Sequence, residues 1–213
     1  MPKNTPSSPE PQHYFSEDPQ APSRRKEFAV TGTDGELTLS TDAGVFSQHG
    51  LDKGTSVFLE VMAKHEGAPI ADGSSLGDIG CGSGAIALSL AVRYPACTVY
   101  AVDTNQRARD ICRENATRNG LGNIVVLSPE EVDPAIRFAT LWSNPPIRIG
   151  KSALHELLEL WLARLDTEGT AYLVVNKNLG ADSLSQWISG LSYPTTRLAS
   201  RNGFRVLEVK AQS

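Results

Sequence analysis

Two periodicities alternate along the chain. From Phe28 onward apolar residues take every second place, first Phe28 and Val30, then Leu37 and Leu39, with Asp34-Gly35 between the pairs. Successive strand side chains point to opposite faces, so this pattern around an Asp-Gly turn predicts a β-hairpin. Residues 53–65 switch to helical spacing, with Val57, Phe58, Val61 and Met62 on one face. Strand and helix signals then alternate: strands at Leu76–Ile79, Thr98–Val102, Ile124–Leu127, Phe138–Trp142 and Ala171–Val175, and helices at 85–93, 105–119 (stopped by Gly120), 152–165 and 182–190. In the 152–165 segment Leu154, Leu157, Leu158, Trp161, Leu162 and Leu165 follow i, i+3, i+4, i+7, i+8, i+11, an apolar stripe. Asp182 is the expected N-cap of the helix after it. A second hairpin closes the chain, with residues 195–200 and Phe204–Val209 flanking Asn202-Gly203.

Alternating strands and helices predict an α/β fold, a doubly wound, mostly parallel sheet covered on both faces. The terminal hairpin must be antiparallel, because two residues cannot carry a parallel crossover. This departs from a plain Rossmann pattern. Residues 1–25 read as a flexible tail, since six of the 13 prolines fall there and proline obstructs helix and ladder alike. Tyr14 and Phe15 are the exceptions within it. Residues 26–213 read as a single domain.

Composition narrows the function classes. Lys and Arg total 20 against 24 Asp and Glu, a net charge of −4, which excludes a general nucleic-acid coat but leaves room for a local basic patch. Three scattered cysteines, Cys81, Cys97 and Cys112, make no disulfide framework and suit reduced thiols. His13, His49, His65 and His155 lack metal-ligand spacing, so no metal is expected. No apolar run approaches the ~18 residues of a membrane span, and the N-terminus lacks the basic-then-apolar order of a signal peptide. Together these predict a cytoplasmic protein.

Three signals carry chemistry. Gly80, Gly82 and Gly84 lie between a strand and a helix, where a doubly wound sheet binds its ligand and where glycine lets the backbone approach closely. Gly80, Gly82 and Ala85 also satisfy the dinucleotide pattern G-x-G-x-x-A, which alone suggests a nicotinamide-dependent oxidoreductase or merely a tight turn. Asp103 ends the next strand, 19 residues after Gly84, and can accept both hydroxyls of an adenosine ribose. Asn144-Pro145-Pro146 follows the fourth strand of the sheet. Two prolines stiffen this turn, and a stiff turn can aim the Asn144 amide oxygen and the Pro145 carbonyl at one point. Two convergent acceptors suit an exocyclic amino group, which has two hydrogens to give.

These residues resemble a known family. Asp78-Ile79-Gly80-Cys81-Gly82-Ser83-Gly84 looks like the first motif of class I S-adenosylmethionine-dependent methyltransferases, and Asn144-Pro145-Pro146-Ile147 like the fourth motif of those that methylate amino nitrogens. Thr41 to Ser47, Asp52-Lys53-Gly54-Thr55, Ser143 to Lys151 and Asn176-Lys177 extend the resemblance to the catalytic domain of guanine-N2 methyltransferases of small-subunit ribosomal RNA. Tyr14-Phe15-Ser16 fits the lead-in of the short, single-domain members. The resemblance implies a seven-stranded sheet with an antiparallel last strand, and S-adenosylmethionine held by Asp78, Gly80, Cys81, Gly82, Asp103, Thr104 and Asn105. It implies that Asn144, Pro145 and Pro146 form the catalytic turn, and that Ile147, Arg148 and Lys177 bind substrate.

Gly77 stands where the family has an apolar residue, which predicts a weak first strand. Ser128-Pro129-Glu130-Glu131 replaces the usual acidic residue at the adenine amino group, leaving open whether Glu130 substitutes. Ile147 is not aromatic, which disfavours stacking of a flipped adenine and is compatible with guanine. Arg148, Lys151, Lys177, Arg197, Arg201 and Arg205 are candidates for a basic rim. Longer members carry a second domain, so weak RNA grip is expected, with dependence on an assembled small ribosomal subunit or on a homodimer. Protein glutamine or adenine N6 are alternative acceptors, and a ribosome-assembly protein that binds cofactor without turnover is the non-enzymatic alternative.

Overall fold

A computed structural model describes residues 25–42, 45 and 50–212; the tail, including Tyr14 and Phe15, and most of the Ala43–His49 stretch lie outside the described residues. The N-terminal hairpin forms as the alternation predicts, pairing β1 (Lys26–Thr31) antiparallel with β2 (Glu36–Thr41), Phe28 opposite Leu39 and Val30 opposite Leu37. The main sheet comprises β3 (Ser75–Ile79), β4 (Thr98–Val102), β5 (Ile124–Leu127), β6 (Phe138–Ser143), β7 (Leu165–Asn176), β8 (Thr195–Arg201) and β9 (Phe204–Lys210). Their order is β5-β4-β3-β6-β7-β9-β8. Strands β3 to β7 pair in parallel, and β9 runs antiparallel to both β7 and β8. This is the seven-stranded, mostly parallel sheet that the resemblance implies, including the predicted terminal hairpin.

Helices cover both faces. On one side α1 (Lys53–Met62), α2 (Ala85–Arg93), part of α3 (Gln106–Arg118) and the β1–β2 hairpin bury Phe58, Met62, Leu88, Cys112 and Leu39 against Leu76 and Trp142. On the other, α4 (Lys151–Leu162) and α5 (Ala181–Gly190) bury Leu158, Trp161 and Ile188 against Phe138, Leu141 and Leu173. The strand order reverses between β3 and β6. A doubly wound sheet opens its ligand crevice at such a point, beyond the strands' C-terminal ends.

Several local expectations are corrected. The helix expected over 152–165 ends at Leu162, and Leu165 opens β7 instead. Leu165 stays buried in the same cluster as Leu158 and Trp161, so the apolar stripe outlasts the helix that began it. Strand β7 is longer than Ala171–Val175 because Asp166, Thr167 and Glu168 extend it as an exposed, irregularly paired segment. The α1 pattern runs to residue 65, but the helix stops at Met62. Gly180, with φ +97°, is the N-cap of α5; Asp182 lies in the first turn and pairs with Arg205. Gly77 does not weaken β3. It faces Leu141 across the β3–β6 ladder, and a Cβ there would lie 2.5 Å from the Leu141 Cδ2. The missing side chain makes room for a leucine that fills the core.

Candidate functional site

Strand β3 ends in the glycine loop and its neighbour β6 ends in Asn144-Pro145-Pro146, so the sheet brings both motifs to one crevice. The buried Ser143 Oγ donates to the Ile79 carbonyl at 2.6 Å, tying the two strand ends together. A small cleft of about 40 Å³ lies between them, lined among others by Asp52, Thr55, Gly80, Cys81, Gly82 and Asn144. A larger cavity, about 190 Å³, opens elsewhere among residues such as His65, Arg93, Glu168 and Tyr172, and none of the motif residues lines it.

The glycine loop is shaped by its backbone. Gly80, Gly82 and Gly84 have φ of +76°, +53° and +91°, a region that residues with a Cβ enter only with strain. Gly80 N and Cys81 N both donate to the Val102 carbonyl, at 2.8 and 3.0 Å. Beyond Gly82 a Cβ would meet nothing within 4 Å, so the loop presents open backbone there. At Gly84 a Cβ would lie 2.7 Å from the Cys112 Sγ, so this glycine is needed for packing. Asn115, fully buried in α3, holds the loop from behind: its Nδ2 donates to the Ser83 and Ser40 carbonyls and its Oδ1 accepts from Ser40 N.

Asp78 lies at the base of this loop. One carboxyl oxygen accepts from Ala87 N at 2.9 Å; the other, Oδ1, is buried without a partner. Burial, reinforced by the nearby Asp103 charge, pushes its pKa up to about 8. Asp103 spans two backbone donors, accepting from Gly82 N and Asn105 N at 2.9 Å each, and burial raises its pKa also. The Cys81 thiol, buried beside Cys112, is pushed well above its usual range and stays protonated.

Other expected contributors divide. Thr104 is exposed beside Asp103, its carbonyl held by Arg109. The Asn105 side-chain oxygen is committed to capping α3, accepting from Arg107 N and Ala108 N. Glu131 caps the turn after β5 through Ser128 while Glu130 stays exposed; the Ser128 hydroxyl holds the Glu130 carboxyl below its ordinary value.

The second turn is aimed by side chains. The Pro145 carbonyl accepts from Ile147 N at 2.8 Å, and Pro146 sits at φ −75°, ψ 75°, an inverse γ-turn. One of that carbonyl's two lone pairs is therefore already in use. Asn144 Nδ2 donates to Asp52 Oδ2 at 2.8 Å and to Thr55 Oγ1 at 3.0 Å. Both amide hydrogens are spent on α1, and Asn144 Oδ1 is left as the acceptor. The sequence reading quoted Asp52 and Thr55 within the family resemblance but assigned them no role; nothing local ties them to Asn144, which is 92 and 89 residues away.

Ile147 packs partly into the α4–α5 side of the core, and Arg148 follows it in a short 3-10 turn. Lys177, at the C-terminal end of β7, and Arg197 are exposed. Arg205 is corrected out of the basic rim, being buried against Asp182; Arg201 pairs with Glu60 at 3.2 Å. Among the described residues no group of three or more His, Cys, Asp or Glu is placed to hold a metal, and no helix is long and apolar enough to cross a membrane.

Known proteins match this arrangement. The family model described as the methyltransferase small domain matches residues 36–208. The uncharacterized protein YbxB of Bacillus subtilis (strain 168) is 31% identical over 202 residues, 93% of this chain and 98% of that protein. The ribosomal RNA small subunit methyltransferase C of Pseudomonas aeruginosa (strain LESB58) is 31% identical over 188 residues, 86% of this chain but 54% of the relative. Among solved structures, the T. thermophilus 16S rRNA N2 G1207 methyltransferase in complex with AdoMet and guanosine superposes with a TM-score of 0.73 at 23% identity, covering 91% of this chain and 52% of that one. The chain thus spans about half the length of the methyltransferase C relatives it matches.

Proposed function

The chain belongs to the methyltransferase small domain family, and we propose that it uses S-adenosylmethionine to methylate a guanine exocyclic N2 amine in small-subunit ribosomal RNA, with residues 26–213 as the catalytic domain. The cofactor supplies an electrophilic methyl on a sulfonium. The residues at the glycine loop fit such a group. Asp78 Oδ1, a buried acceptor without a partner, suits its ammonium end. The open backbone at Gly80 and Gly82 accommodates its methionine portion, with the neutral Cys81 beside it. Asp103, with Thr104 next to it, suits the ribose and the edge of the adenine. Asn105 then serves by capping the helix that begins there.

The observation that carries the acceptor side is the free Asn144 Oδ1. Asn144 follows the strand next to the glycine loop and lines the cleft between them. An amine hydrogen-bonded to that oxygen and to the remaining lone pair of the Pro145 carbonyl is held with its own lone pair turned away from both, toward the cofactor site. As the amine develops positive charge, the same acceptors stabilise it. Pro146 keeps the turn rigid. Ile147 gives apolar contact at the base, and Arg148 and Lys177 supply charge for the phosphates flanking it. The methyltransferase C relatives and the guanosine-bound structural neighbour support this acceptor.

The test is to incubate the protein with radiolabelled S-adenosylmethionine and either naked small-subunit RNA or whole small subunits from a methylation-deficient source. Digested nucleosides should carry label in N2-methylguanosine. Label in N6-methyladenosine or in protein glutamine instead would overturn the guanine assignment.

A further inference from the structure

We infer that Asp52 is a positioning residue for transfer: it sets which way the Asn144 amide points and strengthens its oxygen as an acceptor. This rests on the reading of Asn144 as the group that receives the target amine. The two ends of an asparagine amide have nearly the same shape, so its orientation is decided by its neighbours. Thr55 does not decide it, because a hydroxyl can donate or accept. Asp52 does, because a carboxylate can only accept. With the amide reversed, Asn144 Oδ1 would lie 2.8 Å from Asp52 Oδ2, two acceptors in contact.

Asp52 can hold the amide because it is itself held. The same Oδ2 accepts from Gly54 N at 2.8 Å and Thr55 N at 3.1 Å, as the N-cap of α1. The exposed N–H groups at a helix N-terminus favour a negative charge there. The α1 end is packed against the terminal hairpin, where a Cβ on Gly54 would lie 3.0 Å from the Phe204 ring. The chain of support runs from helix terminus to carboxylate to amide to acceptor. A charge on the N–H side of an amide also draws electron density toward its oxygen. Asn144 Oδ1 is therefore a better partner for an amine that becomes cationic than an amide in water would be.

Asp52→Ser tests this, because serine caps a helix as well as aspartate does but its hydroxyl, like that of Thr55, can donate as well as accept. Asparagine would not serve, since the oxygen that caps the helix is also the one that faces Asn144. With S-adenosylmethionine and the small-subunit substrate, kcat should fall about tenfold to a hundredfold while KM for the cofactor and Tm stay at wild-type values. Thr55→Val should cost about twofold, since one amide hydrogen loses its partner but the flip stays forbidden. Combined with Asn144→Ala, Asp52→Ser should cause no further loss. An unchanged kcat in Asp52→Ser overturns the inference, as does a loss matched by weaker cofactor binding or lower Tm. Independently of substrate, the Asn144 side-chain NH₂ signals in the ¹⁵N spectrum, assigned by their disappearance in Asn144→Ala, should show slowed exchange that Asp52→Ser abolishes. Signals indifferent to Asp52→Ser also overturn it. Wild-type protein with the slowed signals but no label in guanine would count against the guanine acceptor and leave the Asp52–Asn144 coupling standing.

Discussion

Residues 80–84 and 143–146 end adjacent strands and face one cleft, yet they are held in opposite ways. The first turn is gripped by its backbone: three glycines at positive φ, amides donated to the Val102 carbonyl and the Asp103 carboxylate, and a buried Asn115 bracing the Ser83 carbonyl from behind. The second has no positive φ and depends on side chains, Ser143 on Ile79 and Asn144 on Asp52 and Thr55. A cradle works by its shape, so damage to it should appear as instability. An aimed group works by its chemistry, so damage to it should appear only in the rate.

The sharpest break of that contrast is Asn144→Ala. Removing one oriented acceptor should lower kcat by about 10²–10³-fold with Tm and cofactor affinity kept, as single-turnover assays and calorimetry would show. A large fall in Tm would mean that the second turn is structural after all. Gly84→Ala should do the reverse. The strained φ and the Cβ placed against Cys112 and Leu88 together cost about 2–4 kcal/mol, read in denaturant melts as a lower midpoint with weakened cofactor binding. Asn115→Ala attacks the same loop from behind. It leaves Ser40 N and two carbonyls without partners, at about 1–3 kcal/mol, again visible in the melt.

A smaller effect comes from Asp78. Its folded pKa, about 8, is above its unfolded value, so the folded state binds the proton more tightly and stability declines as pH rises from about 4 toward 8. Cofactor binding should move the other way. An ammonium selects the ionised carboxylate, so affinity measured calorimetrically should rise about tenfold between about pH 6 and 7, below the range where the ligand's own amine loses its proton. Asp78→Asn should flatten both dependences. The least effect is expected at the rim, where Lys177→Ala should raise KM for RNA about two- to fivefold, more at low salt, with kcat kept.

Where pattern and packing agree, the chain is legible before folding. Helix α2 and strands β4 and β5 lie at the residues their periodicity marks, because each is bounded by turn-formers and fully served by local spacing. The boundaries that moved are those where tertiary contact overrode the local pattern. Leu165 kept its place in the apolar stripe but changed from helix to strand, because β6 offers a ladder partner in Phe138. Asp182 is a good cap by type, but Gly180 can take the left-handed turn and Arg205 takes the aspartate. Gly77 looks like a flaw until Leu141 is seen opposite it.

By itself the sequence determined the sheet's class, the antiparallel ending and the two turns that meet at one cleft. Each of these follows from spacing within about a dozen residues, where backbone geometry dictates which side chains share a face. The tertiary structure alone decided how the second turn is aimed. That outcome depends on a carboxylate 92 residues before Asn144, brought within 2.8 Å by a helix that shares no strand with it. A hydrogen bond has direction as well as reach, and no one-dimensional pattern records direction between elements that meet only after folding.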